Sequence, residues 1–172
     1  MLAIDDTLRA LWWTLGRQGL TPDKIVIHWW GKPVGQTQAG ILDFFCRTND
    51  RQTSAHYVVS AGLISRIVAE TDTAWHAGDW QTNLTSIGIE CNPRQSDGDY
   101  STIAELIRDI RTRWGDLPLY PHRNFTSTEC PGTYDLARLD ALARDGAPGL
   151  IVTPPALTPD QQFFADLGMT TD

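Results

Sequence analysis

Residues 85–91 read TSIGIEC, and the alternation within that run decides what kind of fold the chain adopts. Ile87, Ile89 and Cys91 point to one side of an extended segment, while Ser86, Gly88 and Glu90 point to the other, the period of two that a strand imposes. One side is therefore a core face. The other carries a carboxylate, Glu90, beside a glycine that leaves room for something to approach. Two further segments read as extended. KIVIHWW (24–30) is a short buried strand with His28 at its C-terminal end, running into an aromatic loop broken by Gly31, Pro33 and Gly35. SAHYVVS (54–60) and LISRIVAE (63–70), separated by Ala61-Gly62, read as a hairpin.

Helices lie between these strands. Ile4, Leu8, Leu11, Trp12 and Leu15 recur at helical spacing after Asp5 and Asp6, which predicts a first helix over 5–17. Thr37 is placed to cap a helix that carries Ile41, Leu42, Phe44 and Phe45 and closes near Arg47. The strongest stripe is Tyr100, Ile103, Leu106, Ile107, Ile110 and Trp114, with Thr102-x-x-Glu105 as its capping pattern. After an extended LPLYPH (117–122), Thr133 caps a last helix with Leu136, Leu139 and Leu142, ending at Gly146. The pattern predicts an α/β fold, a single domain with a central mixed β-sheet flanked by helices. Residues 1–146 form that domain. Residues 147–172, with Pro148, Pro154, Pro155 and Pro159, read as a proline-rich linker and short tail leading toward a further module.

With 172 residues, 41% of them hydrophobic, the chain can bury one sizeable core. A formal charge of -7 and a pI near 4.9 oppose attraction to nucleic acid or anionic lipid. No run of about 18 apolar residues reads as a membrane span, and the acidic start is unlike a secretion signal, so synthesis in a cytoplasm without a signal peptide is expected. Three cysteines at irregular spacing argue against a disulfide framework. Cys46 on its helix and Cys91 on the apolar strand face read as core.

Chemistry concentrates in the four histidines and in HRNFTSTECPG (122–132). His122 with Cys130 is half of a metal site, a Cys–His hydrolase dyad, or an ordinary loop. A zinc hydrolase needs three protein ligands and one open position, and two histidines with a cysteine are suitable types. His28, His122 and Cys130 can supply them, but spacing alone does not select these over His56 or His76.

The ordered set His28 after an apolar strand, Ser54-Ala55-His56-Tyr57-Val58-Val59, Trp75-His76-Ala77-Gly78, Asn83-x-x-Ser86-Ile87-Gly88-Ile89-Glu90 and His122…Cys130-Pro131-Gly132 resembles the zinc-dependent type-2 N-acetylmuramoyl-L-alanine amidases. The resemblance runs over roughly residues 22 to 145. It implies a zinc site at one end of the sheet, with His28, His122 and Cys130 as ligands. It implies Glu90 as the carboxylate working beside the metal, and Trp75, His76 and Asn83 on the cleft wall against the muropeptide. His56 reads as structural.

Two departures stand out. Thr128 occupies the place where several relatives have a lysine, and it can hydrogen-bond a developing oxyanion without bringing charge. Ala55 stands where some phage relatives have a tyrosine, which leaves the auxiliary role to Glu90 and the role of Tyr57 open.

The implied reaction is hydrolysis of the amide between N-acetylmuramic acid and L-alanine. The setting that fits is the catalytic domain of a phage endolysin, a monomer made in the host cytoplasm and acting on bacterial peptidoglycan after release, with no nucleic-acid or membrane partner; the same features allow a bacterial recycling amidase or a toxin delivered to rivals. The rivals are a non-catalytic peptidoglycan-binding module, which predicts a lost ligand, and a metal-free Cys–His hydrolase.

Overall fold

The computed structural model describes residues 2–31 and 35–145. The linker and tail expected over 147–172, and the helix end at Gly146, lie outside the described residues. In chain order the elements are β1 (Trp13–Thr14), β2 (Lys24–Trp29), α1 (Gln38–Asp43), β3 (Tyr57–Ser60), β4 (Leu63–Arg66) and β5 (Thr73–Ala74). They continue with α2 (Trp80–Thr85), β6 (Ser86–Cys91), α3 (Asp97–Trp114), β7 (Leu119–Pro121) and α4 (Leu136–Arg144). A π-helical turn, Phe44–Thr48, prolongs α1, and a 3-10 turn, His122–Asn124, follows β7.

Five strands form one mixed sheet in the order β4-β3-β6-β2-β7. The TSIGIEC strand lies at its centre: β6 runs parallel to both β2 and β3, and β3 pairs antiparallel with β4 in the expected hairpin. Its apolar side is a core face. Ile87, Ile89 and Cys91 are fully buried with Ile25, Ile27, Tyr57 and Val59 against Ile103, Leu106, Ile107 and Ile110 of α3 and Leu139 of α4. The opposite face is mixed. Val58 packs there in a second apolar cluster with Ile41 and Phe45, and the next residue across the sheet is the polar Glu90 of β6. Register sets His28 of β2 directly beside Glu90 of β6, which in turn neighbours Val58 of β3. Histidine and carboxylate thus share one face at the C-terminal ends of parallel strands, a usual place for sites on such sheets.

Three local expectations are corrected. Residues 5–17 are not a helix, because their backbone groups bond across the chain: Asp5 and Ala10 N–H groups donate to the Ile64 and Ile67 carbonyls, and the Leu11 N–H to Phe45. The segment follows β4 as an extended strap, and Leu11 and Leu15 of the supposed apolar stripe are left exposed. The cap of α3 is also earlier than Thr102. Ser96 and Asp99 form a reciprocal capping box, while Thr102 lies within the helix and receives the Gly62 N–H. Finally, Asp135 caps α4; Thr133 bonds Gln95 instead.

Tyr57 and Glu70 join the core to α3. The Tyr57 hydroxyl donates to Glu70, whose carboxylate also accepts from Arg113 and from the Trp114 indole, each at 2.7–2.8 Å. Burial alone would raise the Glu70 pKa, but these hydrogen bonds outweigh it and hold the group below its ordinary 4.5. Its stabilising contribution is therefore present above about pH 4.5 and lost as the pH falls through the lower folded value. Glu70→Gln should flatten part of the acid limb of a urea-midpoint profile taken between about pH 6 and pH 3. Superimposable limbs for the two proteins would contradict this role. Among the described residues, no helix is long and apolar enough to cross a membrane.

Candidate metal centre and cleft

Three side chains converge from two distant parts of the sequence. The end of β2 supplies His28, buried at 2% exposure. The 3-10 turn after β7 supplies His122, and the loop that follows returns Cys130 to it, closed by the Arg123 N–H donating to the Cys130 carbonyl. The loop is seated by Gly132. Its φ is +64°, and a Cβ there would lie 2.4 Å from the Trp29 ring, so both conformation and space demand glycine. One ligand atom from each of His28, His122 and Cys130 lies within 4.8 Å of the other two.

The ring orientations are specific. His28 Nδ1 faces Cys130 Sγ at 3.7 Å, while its Nε2 is 2.9 Å from His76 Nδ1. His122 Nε2 is buried without a hydrogen-bond partner. Burial, with His76 and His122 nearby, holds His28 well below the usual histidine range, and burial also lowers His122. Both rings are therefore neutral bases. Burial pushes the Cys130 thiol up to about 12, so without a cation beside it the thiolate is strongly disfavoured. Two neutral imidazoles and a sulfur that needs a positive neighbour make a coherent donor set for a metal ion.

Glu90 extends the cluster into a cleft. Its Oε2 is buried with no partner, and desolvation pushes its pKa up to about 8. With Cys130, Thr128, Trp29 and Trp30 it lines a cavity of about 650 Å³. The Thr128 hydroxyl oxygen accepts from the Cys130 N–H, which leaves its proton free to turn toward the cavity. A second hollow of about 440 Å³ is lined by Trp75, Trp80 and Asn83, and Arg51 and Thr53 line both.

With this geometry in view, the comparison with known families is decisive: the family model for N-acetylmuramoyl-L-alanine amidase matches residues 18–133, about two thirds of the chain. The chain belongs to this type-2 amidase family. A Bacillus licheniformis protein described as "Probable N-acetylmuramoyl-L-alanine amidase" is 27% identical over 141 residues, 70% of this chain. The chain spans only 40% of that relative's length. Among solved structures, a mutant endolysin from Bacillus subtilis superposes with TM-score 0.66 at 22% identity, covering 83% of this chain and 99% of the endolysin. A selenomethionine derivative of AmpD gives 0.68 at 24%, covering 83% and 96%. At such identities the structural likeness shows the shared fold, a mixed sheet flanked by helices.

The remaining motif residues of the amidase family take distinct places here. Trp75 is half-buried at the second hollow, its indole N–H donating to Thr14 and its ring 6.0 Å from Trp12. His76 was expected on the cleft wall and is instead behind His28, only 6% exposed. The reason is Gly88, the glycine beside Glu90 in the opening strand: a Cβ there would lie 2.7 Å from His76 Cγ, so the imidazole occupies the space that Gly88 leaves. Asn83 lines the second hollow, but its Oδ1 already accepts from the His76 and Ala77 N–H groups.

His56 is fully buried, its Nδ1 accepting the Gly88 N–H and its Nε2 2.8 Å from Arg17. Tyr57 points into the α3 side of the sheet and bonds Glu70, which removes it from the cleft. Sequence reasoning missed Ser86, whose hydroxyl lies 3.1 Å from His76 Nε2. Its position on the polar face of TSIGIEC was the available signal.

Proposed function

We propose that this chain hydrolyses the amide between the lactyl group of N-acetylmuramic acid and the L-alanine of the stem peptide, with zinc held by His28, His122 and Cys130. The single observation that carries the reading is the convergence of those three ligands beside an unpartnered Glu90 in one cavity. Zinc in that place would supply a Lewis acid and lower the pKa of a water molecule toward neutrality.

The protein's own groups account for the rest. Glu90 takes the proton of the attacking water and returns it to the leaving amine, a role suited to a desolvated carboxyl next to the ligands. Thr128 turns its free O–H toward the carbonyl oxygen as charge develops there. Trp29 and Trp30 close the other side of the cavity and pack on the substrate's apolar faces. Trp75 and Asn83 border the adjoining hollow, where a longer muropeptide would extend past Arg51.

The metal-free dyad is disfavoured by the high Cys130 pKa. A purely binding module has no need of the unpartnered carboxylate.

The biological setting we propose is the catalytic domain of a phage endolysin, spanning 1–146 and acting as a monomer on the bacterial wall after release, with a wall-binding module carried beyond the 147–172 linker. A separate anchor suits an acidic domain that gains little from wall electrostatics. Mass spectrometry of digested walls tests the bond assignment: free stem peptides beginning with L-alanine are expected, together with glycan strands that have lost them. Products cut between sugars or within the stem would contradict it.

A further inference from the structure

We propose that His76 and Ser86 are positioning residues that fix the tautomer of His28, so that Nδ1 is presented bare to the metal. The inference rests on the metal-site reading above but is argued from hydrogen-bond direction alone.

The chain of bonds begins at a carbonyl. Ser86 Oγ lies 2.5 Å from the Thr82 carbonyl oxygen, and a carbonyl only accepts, so the single hydroxyl proton of Ser86 points there. Ser86 Oγ also lies 3.1 Å from His76 Nε2, and with its proton already committed it can only accept. His76 therefore carries its proton on Nε2. In the neutral ring Nδ1 is then bare, and it faces His28 Nε2 at 2.9 Å. His28 Nε2 must be the donor. The remaining nitrogen of His28, Nδ1, is left without a proton, 3.7 Å from Cys130 Sγ.

Every member of the relay is held in place. His28, His76 and Ser86 are all buried, which leaves water little access to reverse the order of donors. Asn83 Oδ1 clamps the His76 and Ala77 backbone N–H groups at 3.0 and 2.8 Å. The ring itself lies against Gly88, where any side chain would displace it. Thr82, Asn83 and Ser86 all come from α2 and the first residue of β6, a short helix whose N-terminus Asp79 caps. The six-residue helix and the strand start that follows it thus hold the His76 end of the relay. Outer-shell partners that fix a metal-bound imidazole typically govern affinity by about 10- to 100-fold.

The test reads proton positions directly. Long-range 1H–15N correlation spectra of the metal-free, 15N-labelled protein should show His76 and His28 each protonated on Nε2 and bare on Nδ1. Ser86→Ala, which removes the acceptor of the His76 Nε2 proton, should perturb the His76 pattern and weaken zinc binding about 10-fold or more, measured against a chromogenic chelator. Ser86→Thr, which keeps the hydroxyl, should restore both.

A wild-type spectrum with His28 protonated on Nδ1 would overturn the proposal whatever the variants do. So would a folded Ser86→Ala protein with unchanged tautomers and unchanged zinc affinity. The stated tautomers in a protein that takes up no zinc would support the relay and sink the zinc reading.

Discussion

Glu90→Gln is expected to keep zinc in full stoichiometry and to lose turnover by about 10²- to 10⁴-fold, the range that a positioned acid–base group supplies. The amide is nearly isosteric with the carboxyl, so the cavity it shares with Thr128 and Cys130 should keep its shape. What changes is proton chemistry alone. A glutamine cannot take a proton from water and hand it to the departing amine, and Glu90 has no hydrogen-bonded neighbour on Oε2 to stand in for it. Single-turnover kinetics on a soluble muropeptide, with metal content measured on the same sample, separate the two effects. Turnover near wild type would assign the base to another residue, and loss of zinc would make Glu90 part of the metal's surroundings instead.

Cys130→Ala attacks the other half of the site. Loss of an outer-shell partner costs roughly 10- to 100-fold in metal affinity, so loss of a direct ligand should cost more than about 100-fold. The remaining pair, His28 and His122, would hold the ion through two neutral nitrogens with no anionic partner to offset its charge. The fold should survive, because Cys130 is not among the buried core residues and its loop is held by the Arg123–Cys130 backbone bond and the Trp29–Gly132 contact. Chelator competition measures the affinity, and near-ultraviolet circular dichroism checks the packing. A variant that binds zinc as tightly as the parent would remove Cys130 from the ligand set.

The central strand was readable because its chemistry and its geometry share a period. TSIGIEC alternates, and the alternation put Glu90 and Gly88 on the side away from the core before any contact was known. At the N-terminus pattern and structure part, because apolar residues at helical spacing lie in an extended strap. Periodicity reports which residues could share a helix face, not that β4 and the Ile67 carbonyl just after it offer backbone partners to Asp5 and Ala10. The short α2 left almost no trace in the sequence, since six residues carry less than two turns of pattern and only the Asp79 cap marks its start. Among site residues, His28, His122 and Cys130 came from the ordered motifs, not from spacing.

His76 shows the limit most clearly. A motif names the residue, but whether it faces the cleft or the back of His28 depends on one missing Cβ at Gly88.

The proposed chemistry depends on the metal. Purified protein should contain one zinc ion per chain and cleave muropeptides, lose both on treatment with a strong chelator, and regain cleavage in proportion to zinc restored. Full cleavage by protein shown to be free of metal would contradict it.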